Sequence, residues 1–565
     1  MSRPPPRVAL ATALAVAVAT ALLFLHLQLR LHGNASALGT GGATATTDDA
    51  DDPTDDYEAR ETVADFARVA RSLGVHPTLI DPRVLAALAE ADDPKRRTTE
   101  MMDDRGGPLC VARDSTSFAL LESSWAGARG PLLAAFRGRL SWRCVVARGV
   151  DPRVDDPAAA SPPNVDLHVL LQPPPRRRPR SRPSPASTNS SCRSTRRHLV
   201  HIVILYARGY SATFTDSTTS TTSSTTPSST RSSSTRLLWF GALRARGLAE
   251  RRSLRRLDAD LARLSYGRHP GAFPSYLLYS TSTSSTSSST PAPLLLSGVP
   301  LALPAAPPAR FVREAAASRF LECDRDAARR YRREFPDGDG RDGSRDGSRQ
   351  FRRGARTALL EAGAALASVG APHWVSSGTC LGWLRQCDVI AASGDVDIGV
   401  WAADFSPALL AALLGRGFRL RHKFGLVQDG LELSLVGPAP PGGGGGGAGG
   451  GVKLDVFFFY EEADDEGGGG GVGGRRGPVW NGGTQSRTGL RFEFSFGRFS
   501  LCRALLLGVP VSVPCPPRPY VEANYGPGWR RPPTRPWDWK RSAFNVRPAG
   551  AWSPRDAQRA VQTFL

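Results

Sequence analysis

Apolar and polar positions in the C-terminal half recur with two periods. Asp395-Val396-Asp397-Ile398-Gly399-Val400 alternates residue by residue, which predicts an extended strand with a carboxylate face and an apolar face. Residues 452–460, Val-Lys-Leu-Asp-Val-Phe-Phe-Phe-Tyr, are β-branched and aromatic and predict a second, buried strand. A short strand at 373–375 precedes it, and helical spacing predicts helices at 356–367, 379–386 and 407–414. Before residue 310 the pattern predicts strands at 165–172, 199–206 and 237–243 and helices at 65–73 and 83–90. The fold class expected is mixed α/β, with a small N-terminal α/β domain and a larger C-terminal one.

Low-complexity text interrupts both halves. Residues 217–235 and 280–290 are almost pure Ser/Thr, 173–185 is Pro/Arg-rich, 337–348 repeats Asp/Gly/Ser/Arg, and 442–451 and 467–474 are glycine tracts. Such text buries too little apolar surface to offset its ordering entropy, so these stretches are expected to be disordered insertions. The glycine tracts flank the 452–460 strand and so read as lengthened loops around a retained core.

At the N-terminus, residues 8–29 carry no formal charge and lie between Arg7 and Arg30. That length predicts a single membrane-spanning signal anchor, the alternative being a cleaved signal peptide near Ala35-Ser36-Ala37. With an acidic stretch at 48–56 beyond it, the expected layout is a cytosolic tail at 1–7, the anchor at 8–29, a lumenal stem domain at 30–310 and a catalytic domain at 311–565. Asn34 and Asn189 lie in Asn-x-Ser acceptor sequences, Asn34 very near the membrane.

The formal charge of +20 raises nucleic acid as a partner, but the arginines are scattered and no aromatic RNA-binding signature accompanies them. Anionic lipid head groups or sugar phosphates fit better, and no nucleic-acid partner is expected. Eight cysteines in so long a chain are an accessory framework. Cys380 and Cys387 fall on one predicted helix, about 10 Å apart, beyond disulfide reach of each other. Buried thiols with one or two disulfides are expected, in preference to a structural zinc gathered from Cys323, Cys502 or Cys515.

The strand pattern also carries chemistry. Asp395 and Asp397 share a face, and two such anions are costly to bury unless protonated or bridged by a cation. Oxygen ligands with room for water and phosphate suit Mg²⁺ or Mn²⁺, and Asp455, a lone carboxylate in an apolar strand, needs the same partner. Ser377, Gly378 and Thr379 lie between a strand and a helix, where backbone N–H groups can meet phosphate. Arg385, farther along that helix, is a candidate bidentate phosphate donor, and His422 and Lys423 form a basic cluster before a strand. Taken singly, an Asp-x-Asp is commonly a solvated turn and Ser-Ser-Gly-Thr a helix cap. Their order along the chain carries the inference of a metal-dependent phosphoryl- or nucleotidyl-transfer site.

That ordered set resembles the polymerase-β type of nucleotidyltransferase fold and, within it, the LicD-like branch. Longer words, among them Trp374 to Trp383, Arg385-Gln386-Cys387, His422-Lys423-Phe424-Gly425, Leu431-Glu432-Leu433-Ser434, Lys453 to Tyr460, Trp480-Asn481-Gly482-Gly483-Thr484-Gln485, Tyr520 to Gly526 and Trp537-Asp538-Trp539-Lys540, resemble the fukutin family over roughly 355–555. The resemblance implies a Golgi type II membrane protein that transfers ribitol 5-phosphate from CDP-ribitol to the phosphorylated O-mannosyl glycan of α-dystroglycan. It implies Mg²⁺ held by Asp395, Asp397 and Asp455, a phosphate cradle at Ser377, Gly378 and Thr379, and charge balance from Arg385, His422 and Lys423. Asp455 and then Glu432 are candidates for the general base. Tyr520, Tyr525, Trp529, Trp537 and Trp539 are core or acceptor-groove candidates, and fukutin-related protein and other glycosyltransferases are implied partners. The alternatives are transfer of another phospho-alcohol such as phosphocholine, or a non-catalytic Golgi scaffold.

Overall fold

Short apolar runs in the N-terminal half become strands wrapped by helices. The computed structural model describes residues 54–91, 114–150, 164–175, 197–207, 237–244, 247–279, 294–336, 345–440, 451–462 and 478–564. The anchor expected at 8–29, the sequons at Asn34 and Asn189, the glycine tracts apart from Gly451, and most other low-complexity text lie outside these residues. Among the described residues no helix is long and apolar enough to cross a membrane.

The first sheet comprises β1 (Thr78–Leu79), β2 (Ser115–Leu121), β3 (Arg143–Val150), β4 (Asn164–Gln172), β5 (Leu199–Ala207), β6 (Leu237–Phe240) and β7 (Gly271–Pro274). Its order is β1-β2-β5-β4-β3, with β6 joining β5 to β7, and β2 and β5 are parallel. Helices α1 (Thr54–Ser72), α2 (Pro82–Ala91) and α3 (Glu122–Ala134) accompany it, and Phe66, Phe118 and Phe136 fill the core. Helix α1 starts well before the expected residue 65, while β6 stops at Phe240 rather than 243. Gly241 follows it, where a Cβ would stand 2.6 Å from the Leu167 side chain, and its carbonyl accepts a 3.0 Å hydrogen bond from His168 Nε2.

That bond ends a buried chain. With Nε2 of His168 donating, its Nδ1 is the acceptor for His201 Nε2 at 3.0 Å, and His201 Nδ1 accepts from Ser117 Oγ at 3.3 Å. Both imidazoles are wholly buried and therefore held neutral.

Helices α4 (Leu248–Arg255) and α5 (Ser275–Leu278), the hairpin β8 (Leu294–Leu296) and β9 (Val299–Leu301), and α6 (Pro308–Ala316) lead to the second sheet. The crossover is tied by an ion pair between Glu314 of α6 and Arg503, and by a bridge from Phe320 to Arg503.

The C-terminal half contributes α7 (Arg325–Glu334), α8 (Arg345–Ser368), β10 (His373–Val375), α9 (Ser377–Gln386), β11 (Asp395–Trp401), α10 (Pro407–Gly415), β12 (Arg419–Leu426), β13 (Asp429–Val436) and β14 (Lys453–Glu461). Then follow β15 (Val479–Thr484), β16 (Leu490–Phe496), β17 (Ser500–Leu506), β18 (Val509–Cys515), α11 (Pro517–Tyr525), β19 (Val546–Ala551), α12 (Pro554–Ala560) and β20 (Val561–Thr563). The last part of the 337–348 repeat, expected to be disordered, instead forms the first turn of α8, which extends the apolar helix behind it.

Among the described residues this sheet runs β19-β16-β15-β14-β13-β12-β20, with β11 placed between β14 and β10. β11 runs parallel to β14, so the strands expected around the carboxylates are direct neighbours. Val396, Ile398 and Val400, with Leu454, Val456 and Phe458, occupy one face of that pair and join α8 and α10 in a continuous core. Helix α8 meets it through Ala358, Ala362 and Ala365, whose spacing makes one smooth stripe. On the other face Trp374 lies across Gly399, where a Cβ would stand 2.4 Å from the indole.

Disulfides join Cys323 to Cys387 and Cys502 to Cys515, which rules out a zinc site built from those thiols. The first clamps the segment before α7 to the C-terminal end of α9. Cys380 is a buried free thiol.

Candidate metal centre

Parallel pairing sets Asp397 opposite Asp455 and Asp395 opposite Lys453. Because side chains alternate along each strand, all four project from the same face. Asp395, Asp397 and Asp455 each bring a carboxylate oxygen to within 4.8 Å of the others. Asp397 and Asp455 are 6% and 4% exposed, so little water screens them, while Asp395 sits at the rim.

Three carboxylates therefore face one ammonium. Lys453 Nζ lies 2.7 Å from Asp455 Oδ2 and 3.8 Å from Asp395 Oδ2. Burial, reinforced by Asp395 and Asp455, raises the Asp397 carboxyl well above the usual range, and burial with Asp455 raises Asp395. Asp455 Oδ1 is buried without a hydrogen-bond partner among the described residues. An orphaned carboxylate oxygen in a set of oxygen donors with surplus negative charge fits a hard divalent cation such as Mg²⁺ or Mn²⁺.

The Ser-Gly-Thr turn is built onto Asp397. Ser376 N–H donates to the Asp397 carbonyl at 3.0 Å, Thr379 N–H donates to Asp397 Oδ2 at 3.2 Å, and Thr379 Oγ1 accepts from the Asp397 N–H at 2.8 Å. The N-terminus of α9 thus orients a carboxylate, with Thr379 as its positioning residue. Ser377 has a φ of 38°, in the left-handed region that a side chain seldom occupies. A Cβ on the next residue, Gly378, would stand 3.4 Å from Asp397 Oδ2 and 3.9 Å from the Tyr525 hydroxyl, so glycine leaves the approach to the carboxylate open. Ser376 Oγ and the Tyr520 hydroxyl, 2.7 Å apart, fix the turn from behind.

Of the basic residues expected at the site, Arg385 acts on Tyr525 together with Asp397, while Lys423 and His422 lie farther along the sheet. Arg385 is buried, stacked over the Tyr331 ring at 4.8 Å and hydrogen-bonded to Gln386 Oε1, so it packs α9 against α7. Lys423 pairs with Leu433 and shares the opposite sheet face from the carboxylates, with Nζ 3.4 Å from Gln562 Oε1. His422 shares the carboxylate face, but its partner is Ser434, itself opposite Asp455. Two strand spacings, about 10 Å, separate it from the cluster. It stacks on Phe424, with Nδ1 3.3 Å from Thr563 Oγ1.

Lys453 takes the place expected of those cations. Its position two residues before Asp455 is the signal that puts it on the same face. Glu432, opposite Phe457, also shares that face. Burial, with Asp455 adding, pushes its carboxyl up to about 8, so it holds its proton at neutral pH.

Comparison with known proteins gives two family matches. Residues 5–173 match the model described as Fukutin N-terminal, and residues 370–515 match that of the LicD/FKTN/FKRP nucleotidyltransferase domain. A Mus musculus protein named ribitol-5-phosphate transferase FKTN is 30% identical over 502 residues, covering 89% of this chain and 88% of its own length. The Homo sapiens protein of the same name is 29% identical over the same shares. An uncharacterized Caenorhabditis elegans protein is 28% identical over 214 residues, 36% of this chain and 51% of its own.

Proposed function

The chain belongs to the fukutin family, and we propose that it is a ribitol-5-phosphate transferase whose donor is CDP-ribitol and whose chemistry depends on Mg²⁺ or Mn²⁺. The observation that carries the reading is the convergence of Asp395, Asp397 and Asp455 on one face of a parallel strand pair.

Asp395, Asp397 and Asp455 would hold the cation. The cation they hold would supply positive charge to offset the donor diphosphate and the departing CMP. Thr379 keeps Asp397 oriented, and Lys453 supplies a mobile positive charge beside the phosphoryl group. An acceptor hydroxyl attacks the ribitol phosphorus, forming a new P–O bond while the P–O bond to CMP breaks. Its proton passes to a carboxylate of the cluster, with Asp455 the first candidate. The protein's contribution is positioning and electrostatic stabilisation, as in other phosphoryl transfers.

The acceptor proposed is the phosphorylated O-mannosyl glycan of α-dystroglycan, with fukutin-related protein and other glycosyltransferases as partners. The location proposed is the Golgi membrane, type II, with the catalytic domain lumenal. The uncharged run at 8–29 and two disulfides in the folded body support an oxidising secretory compartment. The test is a donor screen of the full chain with CDP-ribitol, CDP-choline and CDP-glycerol, with Mg²⁺, Mn²⁺ or chelator. Transfer from CDP-ribitol that chelator abolishes supports the reading. Turnover of CDP-choline alone refutes the donor, and undiminished transfer in chelator refutes the metal.

A further inference from the structure

Beyond α11 the chain crosses residues 526–545 without regular structure, yet it is held in place. The Asp538 carbonyl accepts from the N–H groups of Arg541 and Ser542 at 2.9 and 2.7 Å, and Ser542 Oγ accepts from Asp538 N–H at 3.0 Å. Phe544 N–H is anchored to the Asn524 carbonyl at 2.9 Å. This fixed turn holds two tryptophans at the surface, Trp537 at 40% and Trp539 at 36% exposure. Large aromatic rings held exposed by an ordered turn mark a contact surface.

Both rings border the carboxylate site. Trp537 packs at a tilt against Tyr525, ring centres 4.8 Å apart, and the Tyr525 hydroxyl is the group that would stand 3.9 Å from a Cβ on Gly378, beside Asp397. Trp539 lies over Gly483 of β15, where a Cβ would be 3.1 Å from the indole. Gly483 lies two residues beyond Asn481, which pairs with Phe459, and Phe459 shares the face of Asp455. The platform and the carboxylates therefore open on the same side of the sheet.

The same turn is strongly basic. Residues 526–545 hold Arg530, Arg531, Arg535, Lys540 and Arg541 against Asp538 alone, five positive charges to one negative. Lys540 is occupied by Asp538 at 3.0 Å and by the Trp539 ring at 5.2 Å, while Arg531, Arg535 and Arg541 are exposed. An indole face suits the C–H face of a pyranose ring, and exposed guanidinium groups suit phosphate. Ribitol is acyclic and offers no ring to stack. Cytosine offers a ring but no charge to match the arginines, and the donor's diphosphate has its own site at the carboxylates.

We infer that Trp537, Trp539 and the arginines beside them form the acceptor subsite, binding a saccharide that carries a phosphate group. The inference rests on the transferase reading given above. Its test uses the full chain and separates acceptor from donor by following transfer alongside the slow hydrolysis of CDP-ribitol by water. Trp537→Ala is expected to raise the acceptor KM about tenfold or more, with Trp537→Phe restoring most of it, while donor KM and hydrolysis stay unchanged. Arg531→Ala with Arg535→Ala is expected to lose the preference for a phosphorylated over a dephosphorylated acceptor. A raised donor KM in Trp537→Ala would assign the platform to cytosine and overturn the inference, as would an acceptor KM unchanged in both variants. Quenching of tryptophan fluorescence by mannose 6-phosphate but not mannose, lost in Trp537→Ala, reads the subsite without turnover. If wild-type protein neither hydrolyses nor transfers CDP-ribitol, the transferase reading fails, and this binding result still supports or overturns the subsite.

Discussion

Lys453→Met should tighten divalent-metal binding while weakening the metal-free protein. The Lys453 ammonium lies 2.7 Å from Asp455 and 3.8 Å from Asp395 and so balances part of the cluster's charge. A divalent ion shared by the carboxylates must displace it, so the lysine competes with the metal. The Asp455 side chain is 6% exposed but that of Lys453 is 48% exposed, which places the pair between a buried charged hydrogen bond and a surface ion pair. A net value of about 1.5 kcal/mol is appropriate, once solvent screening is discounted. Since 1.4 kcal/mol is a factor of ten, removing the competitor should lower the Kd for Mn²⁺ roughly tenfold. Titration calorimetry of the wild type and the variant measures it directly. Thermal unfolding in chelator should show the variant melting lower, because three carboxylates are left without a counter-charge, and Mn²⁺ should close the gap. Equal or weaker Mn²⁺ affinity in the variant would refute the idea that the ammonium and the metal share one site.

Two further predictions concern the folded frame. Burial depresses the pKa of His168 from 6.5 to about 4, and burial with the neighbouring His168 depresses that of His201. The unfolded chain takes up protons first as pH falls, so the stability these imidazoles contribute is complete above about 6.5 and lost toward about 4, by about 3 kcal/mol for His168. Urea midpoints measured across that window should fall steeply with acid, and a flat profile would contradict the neutral Ser117-His201-His168-Gly241 chain. Gly399→Ala places a methyl group 2.4 to 2.6 Å from the Trp374 indole, whose ring is fully buried. It should cost about 1–3 kcal/mol of stability, read as a lowered Tm, and an unchanged Tm would mean that Trp374 shifts freely.

How the sequence announced this site, and where it fell silent, follows from the range of the interactions. Asp395 and Asp397 share a face through local alternation, and the apolar character of 453–461 announces a buried strand, so both strands could be read directly. That Asp455 lies opposite Asp397 is a matter of register between segments more than fifty residues apart, which periodicity does not encode. The same limit misplaced Lys423. A register shift between Leu420 and His422 decides which of the neighbouring His422 and Lys423 faces the carboxylates, and nothing local marks it. That Thr379 meets Asp397 and that Arg385 stacks on Tyr331 are likewise contacts between distant segments, which local pattern does not encode. Lys453 was within reach of the alternation rule. It was obscured because a lysine at a strand's start reads as a solvated end until its partner strand is known.

The rate of Asp397→Asn with CDP-ribitol and saturating Mg²⁺ decides whether the carboxylate face carries the proposed metal-dependent ribitol-phosphate transfer. Asparagine keeps an oxygen that can accept from Thr379 N–H while removing the charge, so the fold should persist, checked by an unchanged Tm. Transfer is predicted to fall at least about a hundredfold, roughly 3 kcal/mol of transition-state stabilisation. Transfer at the wild-type rate would mean that the reaction does not run on Asp397.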